Sequence, residues 1–384
     1  LVVPRLATLG HDMAHLATFG LHGAALEWGG IKVYPGGADP FANDAIPAAA
    51  RDWKADIVIT LKDSFVFRPE TFQGLRWVPL VPVDHEPVPP QVVELARYSY
   101  RPIAYAPQGQ QALYAAGLDP LYCPHGFDDK VFFPEAREQA RKFLGMPDDL
   151  FVVGTVAVNR GGIPSRKAWP QNLEAFARFA ANKPNVRYFL HTWLGQDGFE
   201  GAVNIPALCA QLGILDKVIY CDQGMYKAGF PEDYLRHFYN AIDVLNAVSI
   251  GEGYGMPHVE AQLCGCPIVA SEFAAARDLC WGGWFVLDED GARLRFYDGQ
   301  GSWVFVPQPA AIAAQFEAAY VALGDDNARV ARRGLALNGA APYQIDRVVA
   351  DYWAPALAEL EEQIANEHAR GVLRIIRREE VGVM

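Results

Sequence analysis

Cysteine is sparse and unpaired in this chain. Six occur among 384 residues: Cys123, Cys209, Cys221, Cys264, Cys266 and Cys280. None forms a C-x-x-C pair and most sit in apolar runs, so they read as buried free thiols of a reducing compartment. Cys264-Gly265-Cys266 lacks a second pair at ligand spacing and is not a zinc site. Positive charge is also short. Thirty-three Lys and Arg face 45 Asp and Glu, a net charge of −12. That argues against nucleic acid as a partner and against attachment to anionic lipid by bulk charge. No apolar run approaches the length of a transmembrane segment. Pro4, Arg5, His11 and Asp12 interrupt any signal-peptide pattern at the start. Short-period repeats, a Walker loop and a nucleophile elbow are missing. The expected location is the cytoplasm, at most peripheral to the inner face of the membrane.

What is present is a globular chain. Hydrophobic residues make up 51% and charged residues 20%, and the length exceeds one typical core, so two domains are expected. Predicted strands at 53–60, 77–83, 103–106, 151–158, 186–192, 217–221 and 244–248 alternate with helices at 92–97, 110–116, 135–144, 172–181, 207–212 and 234–240. Helices at 310–323, 327–337 and 346–370 follow. Strand–helix alternation argues a parallel α/β sheet. Residues 1–3 read as the stub of a strand and 6–16 as a broken helix.

The stretch 249–271, SIGEGYGMPHVEAQLCGCPIVAS, organises the rest. A strand enters it, and a glycine turn, Gly251 to Gly255, follows. Pro257 suits the first turn of a helix. Gly265 ends that helix and Pro267 blocks its continuation. Gly253 and Gly255 admit close backbone approach, and a helix N-terminus attracts anions. Carboxylates beside an anion site suit a ligand that also carries hydroxyls. A sugar nucleotide has both.

Glu252 and Glu260, with seven residues between them, then Ala261 and Gly265-Cys266-Pro267, resemble the E-x7-E region of retaining family-4 glycosyltransferases of GT-B fold. Tyr254 and Cys266 depart mildly from that pattern. The resemblance implies two Rossmann-like domains facing each other across a cleft: an acceptor domain, 1–145, and a nucleotide-sugar domain, 146–345. Residues 346–384 would form a C-terminal helix crossing back to the first domain. It also implies that a first strand and its glycine loop belong before residue 6, and their omission from this numbering is the reading we favour.

By the same resemblance, Glu260 accepts from ribose hydroxyls and Glu252 from those of the transferred sugar. The backbone of Gly253, Tyr254, Gly255 and Met256 cradles sugar and phosphate. A basic loop, Asn159 to Lys167, follows a strand end, where α/β sheets bind ligands. Arg160 and Lys167 are its candidates for the diphosphate. Asn159 replaces the family glycine and the loop is longer, which leaves Arg166 open for either cationic role. His85 is the acceptor-side candidate, since family members carry a functional His near this position. His125 reads as a fold residue, His191 as a strand-end residue and His258 as a lesser ligand candidate. Asp288-Glu289-Asp290 matches a D-x-D string but reads as a turn before Gly291.

The expected activity is a retaining glycosyltransferase. It uses a nucleoside-diphosphate sugar, requires no metal or other cofactor, and has a saccharide, lipid-linked or small-molecule acceptor. A phosphorylase or nucleotide-sugar epimerase on the same fold, and a non-catalytic sugar-nucleotide-binding subunit, are the alternatives.

Overall fold

The computed structural model describes residues 1–161, 164–197, 201–287 and 295–369. They form two compact units. One holds Leu1–Val83, Val88–Gly126 and the described residues from Ile345 on; the other holds Asp84–Pro87 and Phe127–Gln344.

The second unit is built on a six-stranded sheet. Its order is Val218–Tyr220, Val186–His191, Phe151–Val156, Val244–Asn246, Ile268–Ser271, Trp284–Val286, with all neighbours parallel. Its central strands are continuous apolar runs, as a sheet covered on both faces requires. One face packs on the helices Trp169–Ala180 and Pro309–Leu323 through Phe176, Phe179 and Phe316. Phe238, Ala241 and Ala261 cover the other from the helices Tyr234–Ala241 and Met256–Leu263. Each fully buried Phe contributes about 1.5–3 kcal/mol. Val153 and Gly154 pair with Val244 and Leu245. The loops that follow these two neighbouring parallel strands therefore leave from the same end of the sheet.

The first unit carries a parallel four-stranded sheet, Val58–Leu61, Trp77–Val81, Ile103–Ala104 and Leu121–Tyr122. It also has a small sheet in which Ile31–Tyr34 pairs parallel with Ala14–Leu16 and antiparallel with Leu26–Trp28. Helix Ala354–Ala369 belongs to this unit. Its Leu360 and Ile364 are buried, and Glu359 meets Arg101 at 2.5 Å.

Several expectations change here. The division falls at 126/127, not 145/146, because helix Arg137–Leu144 is locked to the second unit. Arg141, fully buried, donates to the carbonyls of Ala241, Pro147, Asp148 and Leu150 and pairs with Asp243 at 3.0 Å. Val2 and Val3 lie in a helix, Val2–Thr8, instead of a strand, and Ala14–Leu16 is a strand instead of helix. Trp53 ends a helix, Ile46–Trp53. The C-terminal helical run is broken by a π-turn, Val349–Trp353. Gly162, Ile163, Arg370 and the Asp288-Glu289-Asp290 string lie outside the described residues.

Candidate functional site

The two loops at the common sheet end are stitched together. Ile250 N–H donates to the Arg166 carbonyl at 3.0 Å. The Asn172 side chain donates to the carbonyls of Lys167 (3.0 Å) and Val248 (3.1 Å). Ala168, at φ +48°, turns the chain into helix Trp169–Ala180. This brings the basic loop onto the glycine turn.

Lys167 donates to Oε1 of Glu252, and Arg166 donates to Oε2 at 3.3 Å and to the Gly251 carbonyl at 3.4 Å. Glu252 is 7% exposed. Burial works to raise its carboxyl, but the Lys167 and Arg166 charges outweigh burial and hold it at about 2. Lys167 is also close enough to Asp84 to feel its charge.

Gly255 N-caps helix Met256–Leu263 at φ +92°, and no side chain caps that helix start. A Cβ on Gly255 would stand 2.4 Å from His258 Nδ1, so glycine is required on both counts. His258 is buried, with neither ring nitrogen hydrogen-bonded, and burial lowers it to about 4. It is neutral at pH 7. Buried nitrogens without partners are costly, and these sit within electrostatic reach of Glu252 and Lys167. The Tyr254 ring is structural: it packs between Phe127 and Tyr343, with centroids at 6.2 and 6.4 Å. Met256 is exposed at the helix start.

Glu260 takes a different partner. Tyr239 Oη donates to its Oε2 at 2.7 Å. Burial pushes this carboxyl up to about 7, the Tyr239 hydrogen bond opposing. The two glutamates of the spacing thus occupy opposite charge environments.

Asn159 is taken up by the fold. Its side chain is 3% exposed residue for residue, donates to the Trp193 and Val203 carbonyls at 2.9 and 2.8 Å, and accepts from Val203 N–H at 3.0 Å. It fastens the loop. Arg160 is exposed and within electrostatic reach of Tyr226.

His85 folds with the second unit, contrary to its expected place in the first. Nδ1 meets Asp84 at 2.6 Å and Nε2 meets Asp298 at 2.9 Å. Burial acts to lower its pKa, yet the two carboxylates prevail and raise it. With both nitrogens taken, the ring is a clamp between two acids. Asp298 was invisible to sequence reasoning, since its partner lies 213 residues away. The one available signal was the Asp298-Gly299 turn pair. His125 packs on Tyr105 at 4.7 Å and His191 on an aromatic group including Tyr226, Phe230 and Tyr234; burial lowers both to about 4. Among the described residues, no group of three His, Cys, Asp or Glu could hold a metal ion.

Residues 161–316 match the family described as Glycosyl transferases group 1. Over 164 residues the chain is 35% identical to a D-inositol 3-phosphate glycosyltransferase of Stackebrandtia nassauensis, covering 41% of this chain and 35% of that one. The chain thus spans only about a third of that relative's length. Sucrose-phosphate synthase of Thermosynechococcus elongatus superposes with a TM-score of 0.66 at 17% identity, over 97% of this chain and 92% of that one. HepE of Anabaena, solved in complex with UDP and glucose, gives 0.61 at 18% identity, over 86% and 87%. These two are likenesses of fold. Residues 161–316 thus resemble the group 1 glycosyltransferases in sequence, and the fold is similar to that of GT-B glycosyltransferases.

Proposed function

We propose that the protein is a retaining glycosyltransferase that takes its sugar from a nucleoside diphosphate. The observation that carries this reading is the Lys167–Glu252–Arg166 cluster beside the Met256–Leu263 helix start, which has no side-chain cap. Anionic diphosphate is what such a helix end and two cations attract. Without ligand, Glu252 occupies the cations. On donor binding, Lys167 and Arg166 turn to the diphosphate, and Glu252 is released to accept from hydroxyls of the sugar. Glu260 accepts from the ribose. Arg160, on the exposed side of the loop, is a further cation for the leaving group.

In the transfer, the bond from the anomeric carbon to the diphosphate oxygen breaks, and the acceptor oxygen bonds to that carbon on the same face. The acceptor proton passes to the departing phosphate. Charge builds on that phosphate as the bond breaks, and each preorganised donor aimed at it is worth about 2.7–4 kcal/mol. His85, engaged on both nitrogens, acts by holding Asp84 beside Lys167.

The test is calorimetric titration with UDP, GDP and ADP, followed by donor turnover. One nucleotide is expected to bind, and Lys167→Ala to weaken it at least about tenfold, one charge-assisted contact. Unchanged affinity would remove the cluster from the donor site. Because the cations already supply the counter-charge, turnover is expected to survive excess EDTA; its abolition would bring a metal into the reaction.

A further inference from the structure

We infer that His258 is a positioning residue for Glu252: when Lys167 and Arg166 turn to the donor's diphosphate, the imidazole N–H takes the carboxylate they release. This rests on the nucleoside-diphosphate reading above and adds the group that receives Glu252 in the loaded state.

The ring is folded back over the start of its own helix, as helical side chains lean toward the N-terminus. A Cβ on Gly255 would stand 2.4 Å from Nδ1 and 2.7 Å from Cε1 of His258. The edge that carries Nδ1 therefore lies against the glycine turn that holds Glu252. Each of the two residues is within electrostatic reach of the other.

The backbone around the pair is fixed. His258 N–H donates to the Gly255 carbonyl at 2.9 Å, and the His258 carbonyl accepts from the Gln262 side chain at 2.8 Å. Gln262 is itself held by the Leu279 carbonyl and the Trp281 N–H, both at 2.8 Å. The Glu252 carbonyl accepts from Ala275 N–H at 3.2 Å. On the strand side, Arg295–Tyr297 and Trp303–Phe305 form an antiparallel hairpin whose Phe305 N–H donates to the Ile250 carbonyl at 2.9 Å. A change of partner at Glu252 is thus a movement of its side chain.

His258 needs such a partner. It is 2% exposed, and among the described residues neither ring nitrogen has a hydrogen-bond partner. Unpaired buried nitrogens are a cost that an apolar side chain of similar size would avoid. Burial keeps the ring neutral at pH 7, with one N–H to donate. Glu252 has both oxygens engaged, Oε1 by Lys167 and Oε2 by Arg166. Once those cations turn away, a carboxylate buried to 7% exposure needs another donor. The His258 N–H can supply it without giving up a partner. One Glu252 oxygen then rests on the ring, and the other is left for a sugar hydroxyl. Direct contact between His258 and the diphosphate is the competing role. A neutral ring offers phosphate a single N–H where Lys167 and Arg166 offer charge-assisted bonds.

The experiment is a double-mutant cycle in the full chain, read by calorimetry with whichever of UDP, GDP and ADP binds the wild type. His258→Leu is expected to weaken that nucleotide about tenfold, the scale of one hydrogen bond to a charged group. In a Glu252→Ala background the same substitution should change nothing, since the carboxylate it serves is gone. His258→Asn and His258→Gln place an amide N–H near Nδ1 and Nε2 respectively, and one of them should restore most of the affinity. The melting temperature of His258→Leu should not fall, because the substitution removes unpaired nitrogens. Equal weakening in both backgrounds overturns the proposal. With an unchanged melting temperature it would make His258 a direct ligand of the nucleotide; with a lowered one, a support of the helix start. Affinity left unchanged by His258→Leu overturns the proposal as well, while the donor reading stands. If the wild type binds none of the three nucleotides, the donor reading itself fails and this inference falls with it.

Discussion

Glu252 and Glu260 are the same residue type eight positions apart, yet their surroundings push them in opposite directions. Two cations hold Glu252 ionised at about 2. Burial with only a phenol for company raises Glu260 to about 7. The sign of each effect on stability follows. Glu252 contributes stability above its ordinary value of 4.5 that is lost as pH falls toward 2. Glu260 is protonated in the folded state where the unfolded chain would ionise, so its burden grows as pH rises from 4.5 to about 7. That burden is on the order of 3 kcal/mol. If Glu260 accepts from ribose, only its ionised form can take both hydroxyls, so nucleotide affinity should strengthen from pH 6 to pH 8. In Glu260→Gln that pH dependence should vanish, while urea unfolding becomes less sensitive to pH over 5 to 7. An unchanged slope of affinity with pH in the variant would separate Glu260 from the nucleotide. The spacing of these glutamates was legible in the sequence. Their opposite charge states were not, because Lys167, Arg166 and Tyr239 are set by the fold.

The Met256–Leu263 helix and the 295–305 hairpin show what can be read from local sequence. The helix announced itself through Gly255, Pro257, Gly265 and Pro267, each acting within a few residues. Its start depends on Gly255, where a side chain meets both a left-handed φ and the His258 ring. Gly255→Ala is therefore expected to cost about 1–2 kcal/mol from the backbone alone, and to reduce nucleotide affinity because the helix end shifts. Circular-dichroism melting and calorimetry together check this; a variant as stable and as tight as wild type would show the turn to be adaptable. The central strands were equally plain as continuous apolar runs. The hairpin was not read, because RFY and WVF are short and their partners, Ile250 and the 84–87 segment, are far off in sequence. The small sheet of the first unit escaped for another reason: Leu26–Trp28 is only three residues long and exposed throughout, so its Leu-Glu-Trp alternation marks no buried face.

At the scale of the molecule, one buried carboxylate does much of the joining in the second unit. Asp243 pairs with Arg137, Arg141 and Arg329, and accepts from Val152 N–H at 2.7 Å. It ties a connecting helix, a central strand and the helix Asp326–Ala340 to one point. Asp243→Ala would leave a fully buried guanidinium without its partner, which costs about 3–5 kcal/mol. A large drop in the urea midpoint is expected; a midpoint near that of wild type would show that the backbone carbonyls around Arg141 suffice. The assignment of 127–145 to this unit turns on that network, which composition along the chain does not reveal.

Asp84–Pro87 has a consequence for how the gene can be divided. Four residues from the midst of the first unit's sequence are folded into the second, and the chain crosses between the units at 83/84, 87/88, 126/127 and 344/345. A fragment cut at 127–344 would leave Asp298, Ser302 and Arg277 facing the empty places of His85, Pro87 and Glu86. Neither half is a cassette that recombination could shuffle whole. A chimera that exchanges one unit for a relative's must carry this tetrapeptide along with the C-terminal partner it serves.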